Sequence, residues 1–186
     1  MRKALDSYPT PMSVVSAMID RMFIGPQPSN IFVRSEGSLL DRVWEPCSGD
    51  GRISAEMRRR GINNIIETDI VSGNNFFDFE VALAPVIVTN PPFRYIRSFI
   101  DHAFQIGVRR MGLVCGERLW ACKKGREQFE RHRPSTFAMM DWREDYLGKG
   151  GKPDRALAVS IWASPSAGHC QYEVWSPPDP SDGVTT

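Results

Sequence analysis

Short apolar runs alternate along this chain with longer stretches in which apolar residues recur every three or four positions. Val86-Ile87-Val88 is continuous and bounded by turn residues, the pattern of a parallel strand buried on both faces. Arg42–Glu45, Asn64–Ile70, Pro85–Thr89 and Met111–Cys115 read as core strands, with a further short strand near Phe76–Phe79. Ser13–Met22 places Val14, Val15, Met18 and Met22 near a helical period, and Pro11 is suited to open that helix. Arg52–Arg60 reads as a helix stopped at Gly61, and Tyr95–Gly107 and the region around Ala121–His132 as two more. Ser135–Trp142 and Ala156–Ala163 read as strands joined by the loop Arg143–Arg155, whose three glycines suit an antiparallel pair at the sheet edge. Gly25–Ser29 is a linker, and residues 176–186 are too polar and proline-rich to fold alone, so a flexible tail is expected. The alternation predicts an α/β fold with a mostly parallel sheet and an antiparallel edge hairpin, organised as one domain over residues 1–186.

Composition adds exclusions. Of 186 residues 41% are hydrophobic and 24% charged, the balance of an ordinary soluble chain with room for a core. No run is long and apolar enough for a membrane and no charged-then-apolar leader opens the sequence, so no membrane partner and a cytoplasmic location are expected. Cys47, Cys115, Cys122 and Cys170 lack metal-site spacing, and the three histidines are scattered. No metal is therefore expected, and no Ser-His-Asp triad. The net charge of +1 hides basic clusters at Arg58–Arg60, Arg109-Arg110, Lys123–Arg126 and Arg131–Arg133. Such clusters suit phosphates, and equally a solvated helix face.

The chemistry concentrates in three places. Thr89-Asn90-Pro91-Pro92-Phe93 follows a central strand and precedes a helix, at the carboxyl edge where open α/β sheets bind ligands. Asn90 offers an amide oxygen, each proline a carbonyl without an N–H, and Phe93 a flat apolar face. These groups suit a planar molecule bearing an exocyclic NH₂, although Asn-Pro-Pro also serves as a sharp strand exit. Upstream, Glu45-Pro46-Cys47-Ser48-Gly49-Asp50-Gly51 runs from a strand into a helix, and its glycines allow a tight turn close to a ligand. The third glycine of the dinucleotide fingerprint is absent, Ser54 standing in its place, and the carboxylates of Glu45 and Asp50 disfavour a pyrophosphate. Asp69 stands twenty residues beyond Gly49 at the end of the next strand, where a carboxylate takes ribose hydroxyls.

Taken with Tyr8-Pro9-Thr10-Pro11, these motifs resemble the S-adenosylmethionine-dependent amino-methyltransferases that modify adenine N6, most closely the small phage- and prophage-type enzymes. The resemblance covers roughly residues 8 to 163 and implies a Rossmann-like class I methyltransferase sandwich with S-adenosyl-L-methionine as cofactor. It implies that Tyr8, Thr10 and Pro11 border the methionine end of the cofactor, that Glu45, Pro46 and Gly49 line its methionine and ribose, and that Asp69 holds the ribose hydroxyls. Where many relatives carry Asp followed by an aromatic or leucine against the cofactor adenine, this sequence has Asn74–Phe79. Asn75 with Phe76 is favoured, Asp78 is the alternative, and the Phe cluster also reads as core. Asn90, Pro91, Pro92 and Phe93 would be catalytic, acting by hydrogen bonding and stacking rather than through a covalent intermediate. Pro46-Cys47 has the form of the cytosine C5 nucleophile, but it sits in the cofactor loop, where a packing role fits better. The implied substrate is DNA, with a base flipped out if the DNA is a duplex; cytosine N4, RNA adenine, a glutamine amide and a non-catalytic cofactor- or DNA-binding module are the alternatives. No segment long enough for a separate recognition domain follows the core, so recognition is expected from loops such as Arg143–Arg155, an oligomer or a partner.

Overall fold

The computed structural model describes residues 10–24, 42–143, 156–163 and 168–177. Helix α1 (Met12–Ile19) begins at Pro11, whose carbonyl accepts the Val15 N–H at 3.2 Å, and runs on into a π-helical turn at Asp20–Ile24. Then follow β1 (Val43–Glu45), α2 (Arg52–Arg59), β2 (Ile65–Glu67), two 3₁₀ turns at Ile70–Ser72 and Phe76–Asp78, and β3 (Val86–Thr89). A 3₁₀ turn at Phe93–Tyr95 leads into α3 (Ile96–Gln105), β4 (Arg110–Gly116), α4 (Lys123–Arg131), β5 (Thr136–Met140), β6 (Leu157–Trp162) and β7 (Gln171–Trp175).

One sheet has the order β2-β1-β3-β4-β6-β5-β7. The first four strands are parallel; β6 runs antiparallel to both β4 and β5, and β7 parallel to β5. Successive side chains of a strand point to opposite faces, and here they divide two cores. Val43, Val86, Val88 and Val114 meet α1 and α2 on one face. Trp44, Ile87 and Leu113 meet Phe99 and Ile100 of α3 on the other. A side chain at Gly112 of β4 would strike the Met22 sulfur, so this glycine lets the end of α1 lie directly on the sheet.

Three expectations change. The strand over Asn64–Ile70 shortens to β2, because the chain turns at Asp69, whose side chain caps a 3₁₀ turn by accepting the Val71 N–H at 2.8 Å. The short strand near Phe76–Phe79 is a 3₁₀ turn. Its three-residue period puts Phe76 and Phe79 on one side, where both rings meet Trp44, at 5.3 and 5.0 Å between centroids. The antiparallel pair β5–β6 is present, but β6 lies inside the sheet and β7 takes the edge outside β5. Glu173 of that edge strand binds Arg21 at 2.7 Å, which ties it to the end of α1. Tyr8, residues 144–155 of the basic loop, and residues 178–186 of the tail lie outside the described residues.

Candidate active site

Strand order reverses at β1: the chain passes from β1 outward to β2, then back across β1 to β3. A sheet of this type opens a crevice beyond the carboxyl ends of the two strands at such a reversal. Here that crevice is a cavity of about 1100 Å³.

One wall is the loop after β1. Gly49 and Gly51 have φ of +51° and +75°, a left-handed conformation that side chains with a Cβ rarely adopt. The turn is closed by the Gly51 N–H on the Ser48 carbonyl at 2.7 Å and pinned by the Gly49 N–H on Asp69 Oδ2 at 2.9 Å. Asp69 thus holds both the glycine loop and its own turn. Glu45 stands at the floor, 1% exposed. Its Oε2 accepts the Ser54 N–H at 3.0 Å and the Ser54 hydroxyl, so it caps α2 from within the sheet. Its Oε1 is buried with no hydrogen-bond partner among the described residues. Burial pushes the Glu45 carboxyl up to about 8; the bonds from Ser54 oppose this, and the neighbouring Glu67 and Asp50 charges add to it. A buried carboxylate oxygen with no partner facing a cavity is a place for a cationic ligand group. Burial also raises the Cys47 thiol to about 12, which favours the protonated thiol at neutral pH and fits a packing role.

The opposite wall is the turn after β3. Asn90 Nδ2 donates to Thr10 Oγ1 at 2.7 Å, across eighty residues of sequence, which fixes the plane of the amide and leaves Oδ1 as its acceptor. Thr10 is itself 5% exposed, and its carbonyl accepts from Arg52 Nη1 at 3.3 Å, so the segment before α1, the glycine loop and the Asn90 turn form one connected unit. The Pro92 carbonyl accepts the Tyr95 N–H at 2.9 Å and starts the 3₁₀ turn that carries Phe93.

Thr10, Pro11, Glu45, Pro46, Gly49 and Asp69 all line this one cavity. So do Asn75, Phe76, Asn90, Pro91, Pro92 and Phe93. The Asn75 amide donates to Asp78 Oδ1 at 2.9 Å; Asp78 itself does not line the cavity. Phe76 stacks on Phe99 at 4.0 Å and is 4% exposed, so it belongs to the core as well as to the wall. Sequence reasoning missed Ile70, Val71, Phe77 and Tyr95, exposed apolar residues of the rim. Sequence reasoning places Ile70, Phe77 and Tyr95 inside predicted elements and leaves only Val71 outside one. It missed Ser54 too, because the carboxylate capping α2 lies nine residues upstream of it.

No family model matches the chain, and no curated protein matches it. Solved structures do. A type I restriction-modification methyltransferase subunit from Streptococcus thermophilus aligns over 86% of this chain and 45% of its own length, with a TM-score of 0.56 at 13% identity. A Listeria monocytogenes protein described as a class I S-adenosylmethionine-dependent methyltransferase aligns over 96% of this chain and 69% of its own, with a TM-score of 0.59 at 8% identity. The 23S rRNA methyltransferase ErmE aligns over 87% of this chain and 70% of its own, with a TM-score of 0.53 at 12% identity. The chain therefore spans less than half the length of the restriction-modification subunit it matches. The fold is thereby defined: an α/β, Rossmann-like arrangement of the class I methyltransferase type.

Proposed function

We propose that this chain transfers a methyl group from S-adenosylmethionine to the exocyclic amino group (N6) of adenine in DNA. The observation that carries the reading is convergence: the glycine loop, Asp69 and the Asn90-Pro91-Pro92-Phe93 turn, brought from three strand ends, face one cavity. The residues present fit the cofactor. The unpartnered Oε1 of Glu45 suits the methionine ammonium, and Gly49 and Gly51 let the backbone approach the nucleoside. Asp69 suits the ribose hydroxyls, since each carboxylate oxygen keeps a second lone pair beside its backbone N–H bond. Asn75, Phe76 and the rim residues Ile70 and Val71 form the wall for the cofactor adenine.

When bound, S-adenosylmethionine supplies an electrophilic methyl group on a sulfonium. The chain's own residues prepare the acceptor. An aromatic amine is a poor nucleophile because its lone pair is delocalised into the ring. Asn90 Oδ1 and the Pro91 carbonyl accept its two N–H groups, which favours a more tetrahedral nitrogen with a localised lone pair. Phe93 stacks on the base and keeps that nitrogen in line. Thr10 holds the Asn90 amide in the required orientation.

Transfer to adenine in RNA is the second reading, favoured by the likeness to ErmE, whose name states 23S rRNA as its substrate. Incubation with methyl-labelled S-adenosylmethionine and DNA, RNA or protein, followed by nucleoside and peptide analysis, tests the proposal. Labelled N6-methyladenine from DNA is expected. Label confined to N4-methylcytosine or to a peptide overturns the adenine assignment.

A further inference from the structure

A second cavity, of about 880 Å³, lies between the start of α3, the β4–α4 turn and α4. It shares Phe93 and Arg94 with the first, so the two cavities adjoin at these residues. The two differ in charge. Glu45, Asp50 and Asp69 line the cofactor cavity together with Arg94 and with Arg52, which pairs with Asp50 at 2.6 Å. The second groove is lined by five cations, Arg94, Arg97, Arg118, Lys124 and Arg131, against three carboxylates. Asp101 is taken by Arg131 and His132, at 3.4 and 3.2 Å, and Glu117 by Arg118 at 3.6 Å, leaving Glu127.

Three of the cations have no carboxylate within ion-pair distance among the described residues: Arg94, Arg97 and Lys124. Arg94 lies over the Tyr95 ring at 4.7 Å. Arg97 is held wholly by neutral groups, the Leu119 carbonyl, Cys122 Sγ at 3.2 Å and Gln128 Oε1 at 3.5 Å. Gln128 is 1% exposed and also donates to the Arg97 carbonyl at 2.7 Å. A buried amide thus fixes a guanidinium that meets no carboxylate among the described residues.

We propose that this groove carries the sugar-phosphate backbone of the nucleic-acid strand whose base enters the cofactor cavity past Phe93. The proposal rests on the methyltransferase reading above and adds to it the path of the substrate. The excess of cations over carboxylates in the second groove suits a polyanion, and the aromatic and neutral groups of the Asn90 turn suit the base. Each phosphate contact made by Arg or Lys adds about 0.7 to the salt slope of affinity for a single strand.

The test is fluorescence anisotropy of a labelled adenine-containing single strand across a salt series, with the whole chain. In Arg94→Ala/Lys124→Ala the slope of log affinity against log salt falls by about 1.4 and binding weakens, with an unchanged melting temperature. Arg126→Ala removes one positive charge outside the groove, where Arg126 pairs with Glu130 at 3.5 Å, and leaves the slope as it was. An unchanged slope in the double variant, or a fall of about 0.7 in Arg126→Ala, the same per charge, overturns the groove. If the wild type still labels DNA adenine in that case, the methyltransferase reading stands alone. A wild type that binds no oligonucleotide and labels only polypeptide removes both.

Discussion

Glu45 offers the sharpest test of the cofactor assignment, because its proton must leave before it can meet a cation. The unliganded protein holds the Glu45 carboxyl near 8, chiefly by burial, so at pH 7 about nine molecules in ten carry it neutral. A ligand ammonium against Oε1 favours the carboxylate and expels that proton. Affinity for S-adenosylmethionine therefore rises by close to tenfold per pH unit between pH 6 and 7, where the ligand amine stays protonated. Calorimetry in two buffers of different ionisation enthalpy then reads nearly one proton released per ligand bound. Glu45→Gln cannot release it, so its affinity is flat over the same range. The stability of the unliganded protein moves the other way. A carboxyl whose folded pKa lies above 4.5 keeps a proton that the unfolded chain gives up, so stability falls as pH rises from about 4.5 to 8. The loss amounts to about 5 kcal/mol at full effect, and Glu45→Gln abolishes it. Flat affinity in the wild type, with no proton released, would refute the placing of Glu45 against the ligand ammonium.

Asn90→Ala keeps cofactor binding and lowers the transfer rate about 10²- to 10³-fold, read by labelled-methyl incorporation; undiminished transfer removes Asn90 from the chemistry. Thr10→Val leaves the amide without its 2.7 Å anchor and reduces kcat while cofactor affinity holds, whereas a matched loss of affinity would assign Thr10 to the cofactor instead. Asp69→Ala releases the Gly49 N–H as well as the ribose, so calorimetry reads a weaker cofactor affinity, and unchanged affinity contradicts both roles. Gly125→Ala sets a Cβ 2.5 Å from the Leu119 carbonyl, a backbone atom with little room to yield, and costs about 1–3 kcal/mol by thermal or denaturant unfolding. Burial opposes the Glu173 charge, but bonds from Arg21 and Trp175 outweigh it and lower its pKa; its contribution is present above about pH 4.5 and lost as pH falls through the lowered value, which Glu173→Gln removes from an acid titration.

What could be read from the sequence divides by the range of the interaction. The strands of the parallel half were legible because both faces of Val86–Thr89 are buried, so a continuous apolar run survives any choice of neighbour. The glycine loop was legible because positive φ at Gly49 and Gly51 is a local demand. β7 was not legible: its alternation is inverted, with Tyr172 and Val174 facing outward, 65% and 60% exposed, and the polar Glu173 on the more buried side. Its place is set by pairing with β5 and by Arg21, more than a hundred residues away. The candidate site shows the same division. Motif order located Glu45, Asp69 and Asn90, but the Thr10–Asn90 bond and the Ser54–Glu45 cap are products of folding, invisible to spacing.

The Phe76 region shows why a local reading fails where a crossover is short. From β2 the chain must recross β1 to reach β3 in a parallel sense, which requires a connection over one face of the sheet. The face containing α1 and α2 is filled, so the connection passes over the other, where Phe76 and Ala84 join the α3 core. Only Thr68–Pro85 is available for it, and two 3₁₀ turns take the place a helix would occupy. The turn at Phe76–Asp78 sets Phe76 and Phe79 against the core and leaves Phe77, 38% exposed, at the rim. The brevity that hides the element from sequence periodicity is thus what brings aromatic and apolar side chains to the mouth of the cavity. This wall of the cavity is made of a crossover rather than of a strand, because the topology forces the chain across β1.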